Sequence, residues 1–226
     1  MLKTEEILKS GSISALNQLV ATCKRCELYK TKICDVPGEG NPRAEIMFIG
    51  EAPGRDEDLE GRPFVGRAGK LLNELFSGVR VRREKIFITN LVKHRPPQNR
   101  KPKKQEIKKC FPYLEKQIEL IKPKLIVLLG SFPLGVFFKQ EKISKSHGQF
   151  LPRIIPKFKS YLSENNLRMQ KKNLSKSPED SIGILWGLKK NNQIYLSLYH
   201  PAAAIYNQKL KKTLIKDFKK LKEYKK

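Results

Sequence analysis

Apolar and polar positions change period several times along the chain, and the changes mark its elements. Residues 3–9 and 12–22 predict two short helices parted by Gly11-Ser12, with Leu16, Leu19 and Val20 on one face of the second. Residues 23–44 read as loop, because Pro37-Gly38 and Gly40-Asn41-Pro42 break any period. "AEIMFIG" at 44–50 predicts a buried strand ending in glycine, and a long loop follows over 51–65. "GRAGKLLNELF" has the helical period, and Gly78 stops it. "KIFITNLVK" at 85–93 predicts a second strand. The segment 103–123 predicts a long helix with an apolar stripe of Ile107, Cys110, Leu114, Ile118 and Ile121. Pro112 within it is expected at a bend or a helix start. "KLIVLLG" at 124–130 is apolar throughout, as a parallel strand covered on both faces would be. A short helix follows in "SFPLGVFF", then a fourth strand in "QIYLSLYH" at 193–200. A final helix is expected over 202–224, with Ile205, Leu210, Leu214, Ile215, Phe218 and Leu221 on its apolar side.

Strands that alternate with helices predict an α/β fold of three α/β/α layers around a central four-stranded, mostly parallel sheet. The expectation is one domain over 1–226, with a basic, partly ordered insertion at about 151–192 that is rich in Lys, Ser and Asn. Such sheets bind ligands beyond the carboxyl ends of their strands. Glu51, Asn90 to His94, Ser131 and His200 fall there.

Charge narrows the partner. The chain carries 47 basic and 22 acidic residues, a formal net charge of +25. This favours a polyanion, nucleic acid before an acidic membrane surface, although a lysine-covered surface is the plain alternative. No segment approaches the roughly 20 apolar residues of a membrane span, and the N-terminus has no signal-peptide pattern. The expectation is a soluble cytoplasmic protein with no membrane partner. Its four cysteines would then stay reduced and serve as metal or cluster ligands rather than disulfides.

Cys23 and Cys26 form a C-x-x-C pair after a predicted helix, which suits a shared metal or cluster. A thioredoxin-like redox pair fits poorly, because such a pair follows a strand. Cys110 lies on the long predicted helix and Cys34 in the early loop. His94 closes the second strand and could come near Cys110. Three cysteines and a histidine also suit zinc.

Several segments, in order, resemble the iron–sulfur, family 4 branch of the uracil-DNA glycosylase superfamily. They are "GEGNPRAEIMFIGEAPGRDEDLEGRPFVGRAGKLL" at 38–72, "ITNLVKHRPPQNRKP" at 88–102, "KPKLIVLLG" at 122–130 and "YHPAA" at 199–203. The resemblance implies a glycosylase that flips uracil out of DNA, single- or double-stranded, and hydrolyses its N-glycosidic bond. It also implies a monomer carrying a 4Fe–4S cluster on Cys23, Cys26 and Cys110. The family's fourth cysteine is replaced here by His94, which the sequence favours as the fourth ligand. Cys34, a labile or three-iron cluster, and zinc are the alternatives. A non-catalytic nucleic-acid-binding α/β protein is the rival reading of the whole chain.

The resemblance assigns further roles. Phe64 would stack on the base, and Asn90 would read its O4 and N3–H edge. His200 would donate to O2 as charge develops there. Backbone of "GEAPG", including Gly50 and Ala52, would line the base pocket. Ala52 stands where a related branch has a water-orienting aspartate, which leaves Glu51 and Glu57 as the catalytic acids. Arg95, Arg100, Lys101 and Lys103 would hold DNA phosphates. His147 reads as a loop residue or a support behind the site.

Overall fold

The computed structural model describes residues 3–151 and 193–224. The insertion expected at 151–192 lies, beyond Leu151, outside the described residues. Helices α1 (Thr4–Leu8) and α2 (Ile13–Ala21) open the chain, and the Ser12 hydroxyl caps α2 by accepting from the Ala15 N–H. Then follow β1 (Glu39–Gly40), β2 (Ile46–Gly50), α3 (Arg55–Glu60), α4 (Arg67–Gly78), β3 (Phe87–Asn90) and α5 (Lys104–Ile121). The second half holds β4 (Leu125–Leu129), α6 (Ser131–Phe137), α7 (Ile143–Ser146), β5 (Gln149–Leu151) and β6 (Ile194–Leu198). It ends in α8 (Pro201–Ala204), α9 (Gln208–Phe218) and α10 (Lys220–Tyr224).

One sheet of six strands runs in the order β1-β3-β2-β4-β6-β5. The middle four are parallel, and they are the four strands that the apolar runs predict. The two edge strands, β1 and β5, are antiparallel to their neighbours and exceed the expected count. With two and three residues they are too short to show a period of two.

Alternate residues of each central strand feed two cores. Met47, Ile49, Phe87, Ile126 and Leu128 pack under α2, α5 and α6. Ile46, Phe48, Ile88, Val127 and Leu196 pack under α4 and α9. The three layers follow directly from that alternation.

Four expectations need correction. The loop at 51–65 contains α3, whose acidic first turn, Asp56 to Asp58, suits a helix N-terminus. Strand β3 ends at Asn90, and Leu91 to His94 turn inward and are buried instead of extending the strand. Pro112 sits in the interior of α5, and the helix continues across it. The single final helix is three, because the Asn207 carboxamide accepts from the Leu210 N–H and starts α9 afresh.

Candidate active site

The carboxyl ends of β2, β3, β4 and β6 lie side by side: β2 and β3 end in Gly50 and Asn90, and Gly130 and Tyr199-His200 follow β4 and β6. Gly50 ends β2 in register with Asn90 at the end of β3. A Cβ on Gly50 would lie 2.3 Å from Asn90 Oδ1 and 2.7 Å from the Phe64 ring, so only glycine admits both neighbours. Asn90 is 1% exposed, and its Oδ1 has no hydrogen-bond partner within the protein. Buried polar atoms are nearly always paired, so an orphaned acceptor at a strand end marks a place for a ligand's N–H.

Phe64 is buried, yet its backbone has φ of 54°, in the left-handed region that a bulky residue enters only under constraint. Its ring centroid lies 5.6 Å from that of His200, with the planes 31° apart. His200 itself follows β6 and caps α8, where its Nδ1 accepts from the Ala202 N–H at 3.2 Å. An Nδ1 that accepts leaves Nε2 as the protonated, donating nitrogen. Burial lowers the imidazole pKa to about 4, so the ring is neutral near pH 7. Gly130, at φ of 100° beyond β4, lets His200 settle against the backbone, since a Cβ there would lie 3.0 Å from that of His200.

The acidic residues separate in role. Glu57 turns inward: its carboxylate accepts from the N–H groups of Gly54, Val65 and Gly66 at 2.9–3.0 Å. It staples the two ends of the loop that carries Phe64. The sequence expectation that Glu57 holds water gives way to this structural use. Glu51 is half-buried directly beyond Gly50. Burial raises its carboxyl pKa, and the charge of Lys101 opposes that rise. Ala52 is half-buried beside it and packs against the core.

The basic residues separate too. Arg100 is engaged by Glu106 through both carboxylate oxygens, at 2.9 and 2.6 Å, at the start of α5. Arg95 donates to Asn99 Oδ1 at 2.7 Å and faces the buried Asp58 at 4.0 Å. Lys101 and Lys103 remain exposed. Two of the four expected phosphate-holding cations therefore shape the loop.

A second group of side chains lies behind the strand ends. Cys23, Cys26 and Cys110 are buried free thiols. Burial pushes the Cys110 thiol up to about 12, and the charges of Cys26 and Cys23 add to the rise. The Cys26 thiol is raised as well, by burial first and by Cys23 among its neighbours. His94 is buried, and its Nε2 has no hydrogen-bond partner within the protein. Burial first, then the Lys32 charge, lowers its ring to about 4, which keeps a lone pair free. Cys34 stands apart: its thiol donates to the Leu59 carbonyl at 3.7 Å, and its N–H to the Asp58 carbonyl. Among the described residues, no three His, Cys, Asp or Glu side chains converge as ligands of a single metal ion would.

Lys93 joins the two groups, and nothing in the sequence pattern pointed to it. It is 1% exposed. Its ammonium donates to Thr89 Oγ1 at 2.6 Å, the Asn90 carbonyl at 2.9 Å and Gln117 Oε1 at 2.7 Å. Burial lowers its pKa to about 7, against the pull of Cys110. His147, expected as a support residue, pairs through Nδ1 with Asp217 at 2.8 Å and lies against Tyr199, the neighbour of His200. No helix among the described residues is long and apolar enough to cross a membrane.

Comparison with known proteins identifies the family. The family model of the uracil DNA glycosylase superfamily matches residues 37–222. The Type-4 uracil-DNA glycosylase of Sulfurisphaera tokodaii is 42% identical over 213 residues, covering 94% of this chain and 84% of the relative. That of Archaeoglobus fulgidus is 40% identical over 212 residues, covering 94% of this chain and 92% of the relative. That of Saccharolobus solfataricus is 42% identical over 210 residues, covering 90% and 82%. With the family model matched over residues 37–222 and relatives matched along nearly the whole chain, this protein belongs to the uracil-DNA glycosylase superfamily.

Proposed function

We propose that this chain is a DNA-repair glycosylase that removes uracil from DNA by hydrolysing its N-glycosidic bond, leaving an abasic site. The observation that carries the reading is the unpartnered, buried Asn90 Oδ1 beside Phe64 and His200. Uracil offers an N3–H to that oxygen, whereas cytosine offers a lone pair there and would be refused. The target base must leave the stack to reach such a pocket. Phe64 stacks on it, contributing ~1–3 kcal/mol.

The bond between N1 and C1′ breaks with its electron pair on uracil, and charge spreads to O2. The neutral His200 donates its Nε2–H to that oxygen as the charge grows, a contribution of about 3–4 kcal/mol for a preorganised donor. Water adds its oxygen to C1′, and the proton it gives up is returned through solvent to the departing uracil anion. Glu51 is the carboxylate best placed to orient that water or face the cationic sugar, since Glu57 is occupied by backbone amides. The backbone of Gly50 and Ala52 lines the base, and Lys101 and Lys103 meet phosphates from the exposed surface.

The thiol–imidazole group fits an iron–sulfur cluster held by Cys23, Cys26, Cys110 and His94. Buried thiols with raised pKa values become thiolates only beside a strong positive charge. The orphaned Nε2 of His94 is a free neutral ligand. When bound, the cluster supplies a rigid cross-link between the 23–26 turn, α5 and the end of β3. Loss of the visible absorption band in His94→Ala, with the band kept in Cys34→Ser, is the expected result; the reverse would move the fourth ligand to Cys34.

The function is tested by incubating the protein with an oligonucleotide bearing one uracil, then adding alkali. Strand cleavage at the uracil is expected. An intact strand, with the protein still binding DNA, would leave a non-catalytic binder.

A further inference from the structure

Phe64 is held in an unfavourable backbone conformation, and something must hold it there. A non-glycine residue in the left-handed region costs on the order of 1 kcal/mol or more, and the surroundings must over-determine it. Glu57 secures the amides that follow Phe64. Gly69 of α4 lets the backbone of Phe64 press onto the helix, since a Cβ there would lie 1.9 Å from the Phe64 carbonyl oxygen. The carbonyl side is secured by one residue. Arg83, just before β3, donates to the carbonyl oxygens of both Pro63 and Phe64. The same guanidinium donates to Asn73 Oδ1 of α4 at 3.0 Å and to Glu39 Oε1 of β1 at 2.6 Å. Glu39 is in turn held by Arg62, at 2.8 Å, from the loop that carries Phe64. Burial alone would raise the Glu39 carboxyl; Arg62 and Arg83 outweigh it and keep it below the ordinary carboxylate range.

We infer that Arg83 is a positioning residue, whose planar fork fixes the Pro63 and Phe64 carbonyls against β1 and α4 and so sets the face on which the base stacks. The inference rests on the proposed stacking role of Phe64. Only an arginine reaches three elements at once, because its donors leave a rigid plane in several directions. A lysine would keep the charge beside Glu39 and lose the fork. Arg83 acts through Phe64, and this separates it from a residue that merely stabilises the fold.

The test is a double-mutant cycle in single-turnover uracil excision, with Arg83→Gln and Arg83→Lys made in the native chain and in Phe64→Ala. In the native chain, Arg83→Gln should lower the excision rate at least about tenfold, since small misplacements near the chemistry are costly. Arg83→Lys should fall between Gln and native. In the Phe64→Ala background the same changes should cost less than about twofold, because the ring they position is gone. Equal losses in both backgrounds would overturn the inference and leave the Phe64 reading intact. An Arg83→Gln protein with native rates would do the same. Native excision by Phe64→Ala would remove the stacking reading and the inference with it. If Arg83→Gln fails to fold, Arg83→Lys carries the cycle alone.

Discussion

The two buried groups at the carboxyl end of the sheet are built on opposite plans. The strand-end group of Gly50, Phe64, Asn90 and His200 is held together by contacts within the chain. Glycines admit close neighbours, Glu57 and Arg83 staple a strained loop, and the open valences, Asn90 Oδ1 and His200 Nε2, await a planar polar ligand. The group of Cys23, Cys26, Cys110 and His94 is the reverse. Burial raises the Cys110 thiol to about 12 and the Cys26 thiol above its ordinary value, and a bound cation would favour their thiolates. In the proposed reading, the first receives the base and the second holds the cluster. Lys93 spans the two, since its ammonium holds the Asn90 carbonyl while the next residue is His94. Chemistry and scaffold are thus separable by mutation everywhere except at that lysine.

The largest expected effect falls on the pocket alone. His200→Ala should lower uracil excision by ~10²–10³-fold, with the melting temperature and visible absorption close to native. A comparable loss of absorption would mean that the two groups are not independent. Next is Lys93→Met, which removes the buried donor shared by Thr89, the Asn90 carbonyl and Gln117. It should cost about 2–3 kcal/mol of stability in a denaturant titration, and it should weaken excision and absorption together. If only one of the two changes, Lys93 does not couple the groups. The smallest effect is a pH dependence. The His200 ring has a folded pKa of about 4 against an ordinary 6.5, so its contribution to stability is present above 6.5. That contribution is lost as pH falls from 6.5 towards 4, because the unfolded chain takes up the proton first. Thermal melts between pH 7 and 4 should show the decline, and it should shrink in His200→Gln. Excision itself should show no His200 titration near 6.5.

The contrast between the groups also governs what the sequence revealed. The central strands were legible because burial on both faces leaves an unbroken apolar run, as in "KLIVLLG". Strand ends then brought Asn90 and His200 forward as candidates, and the C-x-x-C spacing brought forward Cys23 and Cys26. What stayed hidden depends on contacts made far along the chain. Arg83 meets Glu39 across 44 positions and Pro63 across 20, and no local pattern records either contact. Lys93 was hidden for another reason: a lysine is normally a surface residue, and only the three acceptors around it make burial tolerable. Glu57 and Arg100 were misread in the same way, since an acid or a base in a polar loop does not announce that backbone amides or a buried glutamate will claim it. Strands β1 and β5 were too short to carry a pattern at all.

The central claim is that Asn90, with its unpaired buried oxygen, reads the uracil edge, and one comparison tests it most directly. Excision of uracil from a single-stranded oligonucleotide is measured under single turnover for the native chain and for Asn90→Leu, with melting temperature and visible absorption recorded on both. A fall in rate on the order of 10²-fold or more, with melting and absorption unchanged, is the predicted result. An Asn90→Leu protein that removes uracil at the native rate would contradict it.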